Sequence, residues 1–380
     1  MSKKMKVGIL FGGKSGEHEV SIVSAMSVAQ ALDKNKYDVT MIGIDKSGRW
    51  TLPDPKHLIE HQKFPRNLKL ALEKSNVSLL PYKSDKQMIQ LSSENSVSND
   101  QNNISQFDVI LPILHGTYGE DGTIQGLLEL ANIPYVGSGV LGSAVGMDKD
   151  ISKKLFETAG IPVVSWLLLK KYEFKKDAQK IIQDIENKFG YPYFIKPANQ
   201  GSSVGVHKVK SKAEAKEKLQ DAFFYGIKVM AEKAIPAREL EISVLGNHEP
   251  KASIVGEIIP THEFYSYEAK YLDENGAHLK IPAENISNEL SKKLQDYAKK
   301  AFLALDCRGL ARVDFFLDKN TNEIYLNEIN TIPGFTSISM YPKLWAATGL
   351  VYADLLDELI RLALENYKEK NELKTSFNGN

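Results

Sequence analysis

The sequence has only one cysteine and no excess of charge of either sign. With Cys307 alone, no disulfide can form within the chain, which fits a reducing compartment such as the cytoplasm. Lys and Arg together number 48, as do Asp and Glu, so no overall field attracts nucleic acid or an anionic membrane. We therefore expect a cytoplasmic protein without nucleic-acid or membrane partners, in which local groups bind any anion.

Long apolar segments are missing as well. The run "KVGILF" (6–11), which follows a basic start, is too short for a signal sequence or a membrane span and is typical of a first β-strand. A chain of 380 residues with 42% hydrophobic and 25% charged residues is a soluble protein too large for one compact core. More than one domain is expected.

Strand and helix patterns alternate along the chain. After the first strand, apolar residues recur at helical spacing from Ser21, and "YDVTMIGI" (37–44) predicts a second strand, so the fold class is α/β with parallel pairing at the start. The polar stretch 92–106 predicts a surface loop, and a last helix is predicted from about Tyr352 to Asn366. The domains are predicted at 1–137, 138–229 and 230–380.

Acidic and amide side chains are concentrated on a predicted hairpin near the end of the chain. Period two places Arg312 and Asp314 on one face of the first strand. On the second strand, the same period places four residues on one buried face, namely Ile324, Leu326, Glu328 and Asn330. If the polar faces coincide, their oxygen atoms suit a nucleotide-bound Mg²⁺. The alternative is a buried ion pair of Arg312 with a carboxylate, but burying so many polar groups without a cation would be costly, which favours a metal.

Two glycine-rich loops have open interpretations. In "KPANQGSSVG" (196–205), small residues allow backbone N–H groups to approach phosphate, although the spacing is neither that of a P-loop nor G-x-G-x-x-G, and an ordinary turn is the alternative. In "GGKSGEHEVS" (12–21), Glu17 and His18 are either functional or simply charges at a helix start.

Two further segments are rich in functional residue types. "HGTYGEDGT" (115–123) contains His115, Glu120 and Asp121 but no second His or Cys at zinc-ligand spacing, so no metal site is predicted there. "HEFYSYEAKY" (262–271) is either an exposed loop or a lid that folds over an active site.

Taken together and in order, the motifs resemble the D-alanine–D-alanine ligase family of the ATP-grasp superfamily. They are "GGKSGEHEVS", "LHGTYGEDGTIQG", "YVGSGV", "MDK", "FIKPANQGSSVG", "FYSYEAKY", "GLARVDFF" and "NEINTIPGFTSIS". The resemblance implies a parallel N-terminal α/β domain followed by two α+β domains that clamp ATP, with a lid at about 260–275. It also implies a homodimer that makes D-alanyl-D-alanine for peptidoglycan through a D-alanyl phosphate, releasing ADP and phosphate.

The resemblance further implies the ligands of individual residues. Two Mg²⁺ or Mn²⁺ ions would be held by Asp314, Glu328 and Asn330. ATP would be bound by Lys149, Lys196, Ser203, Glu232, Glu239 and Lys270, with Glu241 as the alternative to Glu239 at the ribose. The first D-alanine would be bound by Glu17 and His115, and the second by Ser339.

Catalytic roles follow from the same resemblance. A hydrogen-bonded triad that ties the lid to the site would consist of Glu17, Ser202 and Tyr271. Arg312 and the Gly334 N–H would stabilise the tetrahedral oxyanion. No base for the second amine stands out.

Two rival functions are weighed against this one. A ligase that joins D-alanine to D-lactate is the alternative of the same fold; in it, a histidine takes the place of Tyr271, whereas "EAKY" is intact here. A nucleotide-binding regulator without turnover would lack a metal ligand or Arg312, and all of these residues are present.

Overall fold

The computed structural model describes residues 3–53, 76–84, 87–91, 106–261, 277–336 and 339–374. The predicted polar loop lies outside these ranges apart from Gln106, and the predicted lid segment 262–271 lies wholly outside them. None of the helices in the described ranges is long and apolar enough to cross a lipid bilayer.

The strands are β1 (Met5–Gly12), β2 (Tyr37–Ile44), β3 (Trp50–Thr51), β4 (Asn76–Leu79), β5 (Met88–Leu91), β6 (Val109–Ile113), β7 (Trp166–Lys170), β8 (Tyr193–Pro197), β9 (His207–Val209), β10 (Lys228–Lys233), β11 (Ala237–Gly246), β12 (Lys251–Ala252), β13 (Gly256–Pro260), β14 (Ala277–Lys280), β15 (Gly309–Asp318) and β16 (Ile324–Asn330). The helices are α1 (His18–Ala31), α2 (Thr123–Leu130), α3 (Val140–Met147), α4 (Lys149–Thr158), α5 (Lys171–Lys176), α6 (Ala178–Phe189), α7 (Lys212–Tyr225), α8 (Asn288–Ala304), α9 (Met340–Ala347) and α10 (Tyr352–Asn371).

The first sheet has the strand order β5-β4-β3-β2-β1-β6. Strand β1 pairs in parallel with β2 and β6, which confirms the parallel α/β start, while β3, β4 and β5 extend the sheet by antiparallel pairing. Helix α1 crosses between β1 and β2 and begins at His18, three residues before the predicted Ser21. This sheet therefore places the ends of β1 and β6, and the loops after them, at one edge.

The other two sheets are antiparallel. One has the order β7-β10-β8-β9, and the other has the order β14-β13-β11-β15-β16 with β12 on β11. The Gly/Ser loop joins β8 to β9, and β15 and β16 form the predicted hairpin. The α/β class with several sheets is thus confirmed, whereas the three domain boundaries remain predictions.

The last helix of the chain covers the first sheet. In one hydrophobic core, Val7 of β1 and Val109 of β6 pack with Leu359 of α10, and all are nearly inaccessible to solvent. The Tyr37 hydroxyl of β2 also donates a hydrogen bond to Asp357 Oδ1 at 2.8 Å. Helix α10 continues five residues beyond the predicted end at Asn366.

The alternation predicted for β16 is wrong because the hairpin contains a β-bulge. Asp314 pairs with Glu328 and Phe315 pairs with Leu326, so Asn327 has no opposite residue. The side chains that enter the core are those of Ile324, Leu326 and Ile329. Those that line a cleft instead are Asn327, Glu328 and Asn330. The extra residue moves Glu328 off the buried face and onto the face of Asp314.

The packing of α8 gives a test of the fold. Leu294 is fully buried in a second hydrophobic core, which α8 forms with strands β11, β15 and β16, whereas Leu303 of the same helix is 46% exposed. Leu294→Ala is expected to lower the free energy of unfolding by about 2–5 kcal/mol because it leaves a cavity. The matched Leu303→Ala should cost about 0.5 kcal/mol or less. Urea unfolding followed by circular dichroism compares the two, and equal losses would contradict this packing.

Candidate active site

A cleft of about 1470 Å³ is lined by residues from all three sheets and their loops. Every predicted site residue in the described ranges lies on its wall, namely Glu17, His115, Lys149, Lys196, Ser202, Ser203, Glu232, Glu239, Arg312, Asp314, Glu328, Asn330, Gly334 and Ser339. The remaining two, Lys270 and Tyr271, lie outside the described residues. Segments more than 300 residues apart in sequence, such as those of Glu17 and Ser339, thus meet at one site.

The hairpin supplies a cation held between carboxylates. Arg312 Nε and Nη2 donate to the two oxygens of Asp314, both at 2.7 Å, and Nε also lies 3.1 Å from Glu241 Oε2. Burial by itself lowers the pKa of Arg312, but Asp314 and Glu241 outweigh burial and hold that pKa well above its usual value. The guanidinium therefore stays charged and is fixed in direction by its bidentate contact.

The oxygen donors of the hairpin fit a metal that brings further ligands with it. Asp314 and Glu328 stand opposite each other, and Asn330 Nδ2 donates to Asp314 Oδ2 at 3.0 Å. In the part of the chain that the structure describes, no group of three or more His, Cys, Asp or Glu residues could hold a metal by itself. Two carboxylates and a carboxamide suit Mg²⁺ or Mn²⁺ when phosphate oxygens complete the coordination.

Lysines surround a buried carboxylate on the opposite wall. Lys196 Nζ lies 2.7 Å from Glu232 Oε2, and Lys153 Nζ forms an ion pair with the other oxygen, Oε1. Burial raises the pKa of Glu232, but the two lysines outweigh it and keep the carboxyl charged. Burial lowers the pKa of Lys153 to about 8, against the effect of Glu232.

No role was predicted for Lys153, although its helical spacing from neighbouring residues could have indicated that it points toward the site. It lies four residues after Lys149 and three before the buried Phe156, on the inner face of α4. The neighbouring Lys154 is 54% exposed and bonds only to Asp150 among the ion pairs of the described residues.

The Gly/Ser loop meets the first helix at Glu17. The Ser202 hydroxyl donates to Glu17 Oε1, so the structure brings together two members of the predicted triad. Ser202 and Ser203 both have positive φ, +48° and +60°, which L-residues rarely adopt. A Cβ on Gly201 or Gly116 would lie only 2.9 Å or 2.7 Å from Glu17 Oε2, so glycines are required beside this carboxylate.

Glu120 is a second residue for which no role was predicted. Its carboxyl accepts the N–H groups of Gly116, at 2.8 Å, and Ile332, at 3.0 Å, and it lines the cleft. Burial raises the pKa of Glu120 to about 8, and the charge of Glu17 adds to the rise. No sequence pattern indicated this, since the burial comes from a loop more than 200 residues away.

Two antiparallel sheets that face a cleft with lysines on one wall and paired carboxylates on the other define an ATP-grasp ligase fold. Comparison with known proteins identifies the family within this class. The model of the D-ala D-ala ligase N-terminus matches residues 6–138, and that of the D-ala D-ala ligase C-terminus matches residues 155–361. The D-alanine–D-alanine ligase of Shouchella clausii (strain KSM-K16) is 49% identical over 378 residues, covering 99% of each chain.

Solved structures agree with the sequence relatives. The D-alanine-D-alanine ligase from Coxiella burnetii has a TM-score of 0.82 at 38% identity, covering 98% of this chain and 97% of that one. The VanG D-Ala:D-Ser ligase from Enterococcus faecalis has a TM-score of 0.79 at 35% identity, covering 95% of this chain and all of that one. The chain belongs to the D-alanine–D-alanine ligase family and is an ATP-using ligase.

The raised pKa of Glu120 predicts a pH dependence of stability. A carboxyl whose ordinary pKa of 4.5 rises to about 8 on folding stabilises the protein fully below pH 4.5, and this contribution is lost as the pH rises through about 8. Glu120→Gln resembles the protonated form and cannot titrate. The free energy of unfolding of the wild type, relative to this variant, should therefore fall between these pH values. Urea titrations at several pH values measure the difference, and a constant difference would contradict the shift.

Proposed function

We propose that the protein joins two molecules of D-alanine to D-alanyl-D-alanine for peptidoglycan synthesis, converting ATP to ADP and phosphate through a D-alanyl phosphate. The observation that carries the proposal is the convergence in one cleft of Lys149 and Lys196, the carboxylates of the hairpin, Arg312 and Gly334. Membership of the family supports the identity of the amino acid.

In the first step, the carboxylate of the first D-alanine attacks the γ-phosphate of ATP. Lys149 and Lys196, which both line the cleft, neutralise phosphate oxygens during transfer. Two Mg²⁺ or Mn²⁺ ions at Asp314, Glu328 and Asn330 would lower the charge of the phosphates and hold them in line. Ser203 and, from the lid, Lys270 complete the phosphate contacts.

In the second step, the neutral amine of the second D-alanine attacks the acyl carbon and a C–N bond forms; the tetrahedral intermediate then expels phosphate, and the nitrogen loses a proton. The tetrahedral intermediate carries an oxyanion. Arg312, which Asp314 holds in place, and the Gly334 N–H stabilise that charge, and each such donor contributes about 3 kcal/mol in other enzymes. Closure of the lid keeps water from the acyl phosphate.

The substrates are oriented by the remaining residues of the cleft. Glu17 binds the ammonium of the first D-alanine with His115 nearby, and its bond to Ser202 extends to Tyr271 when the lid closes. Ser339 binds the carboxylate of the second D-alanine, and Glu232 lies at the adenine. Glu239 is the ribose residue, since Glu241 is already engaged by the Arg312 guanidinium.

The proposal also covers the localisation, the oligomeric state, the domain boundaries and the choice of second substrate. The protein acts as a cytoplasmic homodimer, and each chain has three domains with boundaries near residues 137 and 229. D-alanine is preferred over D-lactate as the second substrate because the "EAKY" segment retains Tyr271.

Product analysis tests the proposed function. The protein is incubated with ATP, Mg²⁺ and D-alanine, with D-lactate or D-serine offered in parallel reactions, and the products are identified by mass spectrometry. Phosphate release matched by D-alanyl-D-alanine, with little mixed product, is expected. A predominant ester or D-alanyl-D-serine would assign another acceptor, and the absence of ATP turnover would support a regulator.

The metal assignment has a separate test. Glu328→Gln keeps the shape of the side chain but removes a charge, so Mg²⁺-dependent nucleotide binding should weaken about 10- to 100-fold. Calorimetric titration of ADP at increasing Mg²⁺ measures this without turnover. Glu323→Gln, on the exposed turn before β16, is the matched control and should bind like the wild type. Equal Mg²⁺ dependence of all three proteins would show that Glu328 is not a ligand.

A further inference from the structure

The segment from Ile332 to Phe335 is held at both ends by residues from the first third of the chain. At one end, the Ile332 N–H donates to Glu120 Oε1 at 3.0 Å, and the Ile332 carbonyl lies 3.1 Å from His115 Nδ1. At the other end, the Phe335 N–H donates to Ser24 Oγ at 3.5 Å. Ile332 is 4% and Phe335 1% exposed, so these bonds are shielded from water.

The three side chains form one connected set. A carbonyl can only accept, so His115 Nδ1 must carry the proton toward Ile332, and Nε2 then accepts from the Ser24 hydroxyl at 3.2 Å. Burial lowers the pKa of His115, although Glu17 opposes this, and the lowered pKa favours the neutral ring in which Nε2 is the acceptor. Both ring nitrogens therefore serve protein atoms.

Gly334 lies between the two held ends. Its N–H donates to no protein atom in the described part of the chain, and the preceding Pro333 has no N–H at all. Gly334 lines the cleft, and a Cβ there would lie 2.8 Å from Ser339 Oγ. Of the backbone donors from Ile332 to Phe335, the Gly334 N–H is thus the one that the neighbouring described residues leave available for a ligand.

We infer that Ser24, His115 and Glu120 are positioning residues that set the direction of the Gly334 N–H toward the tetrahedral intermediate. The inference rests on the proposed function, because the donor matters only if an acyl group is attacked in the cleft. The loops of the first sheet then contribute to the second chemical step through the backbone of a segment some 200 residues later in the sequence.

The physical reason lies in the sensitivity of an oxyanion donor to its position. A donor must point at the place where charge develops, and a displacement of about 1 Å can cost roughly 100-fold in rate. Removal of the Glu120 carboxyl leaves the buried Ile332 N–H without its acceptor, and the segment must shift to find another. Binding of ATP should not change, since the lysines and the hairpin carboxylates keep their own contacts.

Three variants of the full-length protein test this. Glu120→Ala is expected to lower kcat for dipeptide about 10- to 100-fold with an unchanged KM for ATP, and to release more phosphate than dipeptide, because the waiting acyl phosphate hydrolyses. Glu120→Gln keeps an oxygen for the Ile332 N–H and should recover most of the lost kcat. Ser24→Ala removes only one hydroxyl and should lower kcat and uncouple phosphate release in the same direction as Glu120→Ala. The inference can therefore still be tested if Glu120→Ala fails to fold.

Asp45→Asn is the matched control. Asp45 is a buried carboxylate of the same sheet that accepts the N–H groups of Ser47 and Arg49 and lies away from the cleft. It should lose stability but keep the kcat and phosphate stoichiometry of the wild type. The inference is wrong if Glu120→Ala and Ser24→Ala behave like this control, or if they raise KM for ATP alone. Absence of dipeptide from the wild type would instead contradict the proposed function.

Discussion

The cleft depends on the pairing of buried charges. Four ion-paired cations lie at or directly behind its walls, namely Arg312, Lys149, Lys153 and Lys196, and the carboxylates bonded to them are Asp314, Glu241, Glu328 and Glu232. Because an unpaired charge is costly in such a place, these groups hold one another and, with them, the two antiparallel sheets. The balance also bears on nucleotide binding. A polyphosphate that draws the lysines away from their carboxylates must bring positive charge to replace them, and the proposed divalent metal would supply it.

Each sheet contributes a different kind of group to the site. The sheet of β7 to β10 supplies Lys196 and Glu232, the hairpin supplies oxygen donors and Arg312, and the first sheet supplies loops with Glu17 and His115. The bulge at Asn327 is what makes the hairpin suitable, since it turns two successive polar side chains toward the cleft while the hydrophobic residues on either side stay in the core. A regular strand would have buried one of them.

The sequence predicted the segments with clear periodicity or distinctive motifs, and it failed where the outcome depends on residues distant in the chain. Strand β2 has the predicted bounds, and the motifs identify residues that line the cleft. Period-two alternation could not reveal the bulge. One extra residue changes the face to which the following side chains point, but the residue types in the sequence stay the same. Glu120 looked like an ordinary loop acid, since its environment is built by Ile332. Lys153 and Lys154 differ only in the helical face on which they lie.

Helix α10 closes the core of the first sheet, and this fixes an order of events during synthesis. Strands β1, β2 and β6 leave the ribosome long before Leu359 and its neighbours are made, so the part of their apolar surface that α10 covers stays exposed until that helix has been synthesised. The Tyr352 hydroxyl of the same helix donates to the Phe335 carbonyl at 2.9 Å, beside the Gly334 turn. The segment from Ile332 to Phe335 can therefore gain this contact only after α10 has left the ribosome, and the nascent chain carries an incompletely covered sheet until then.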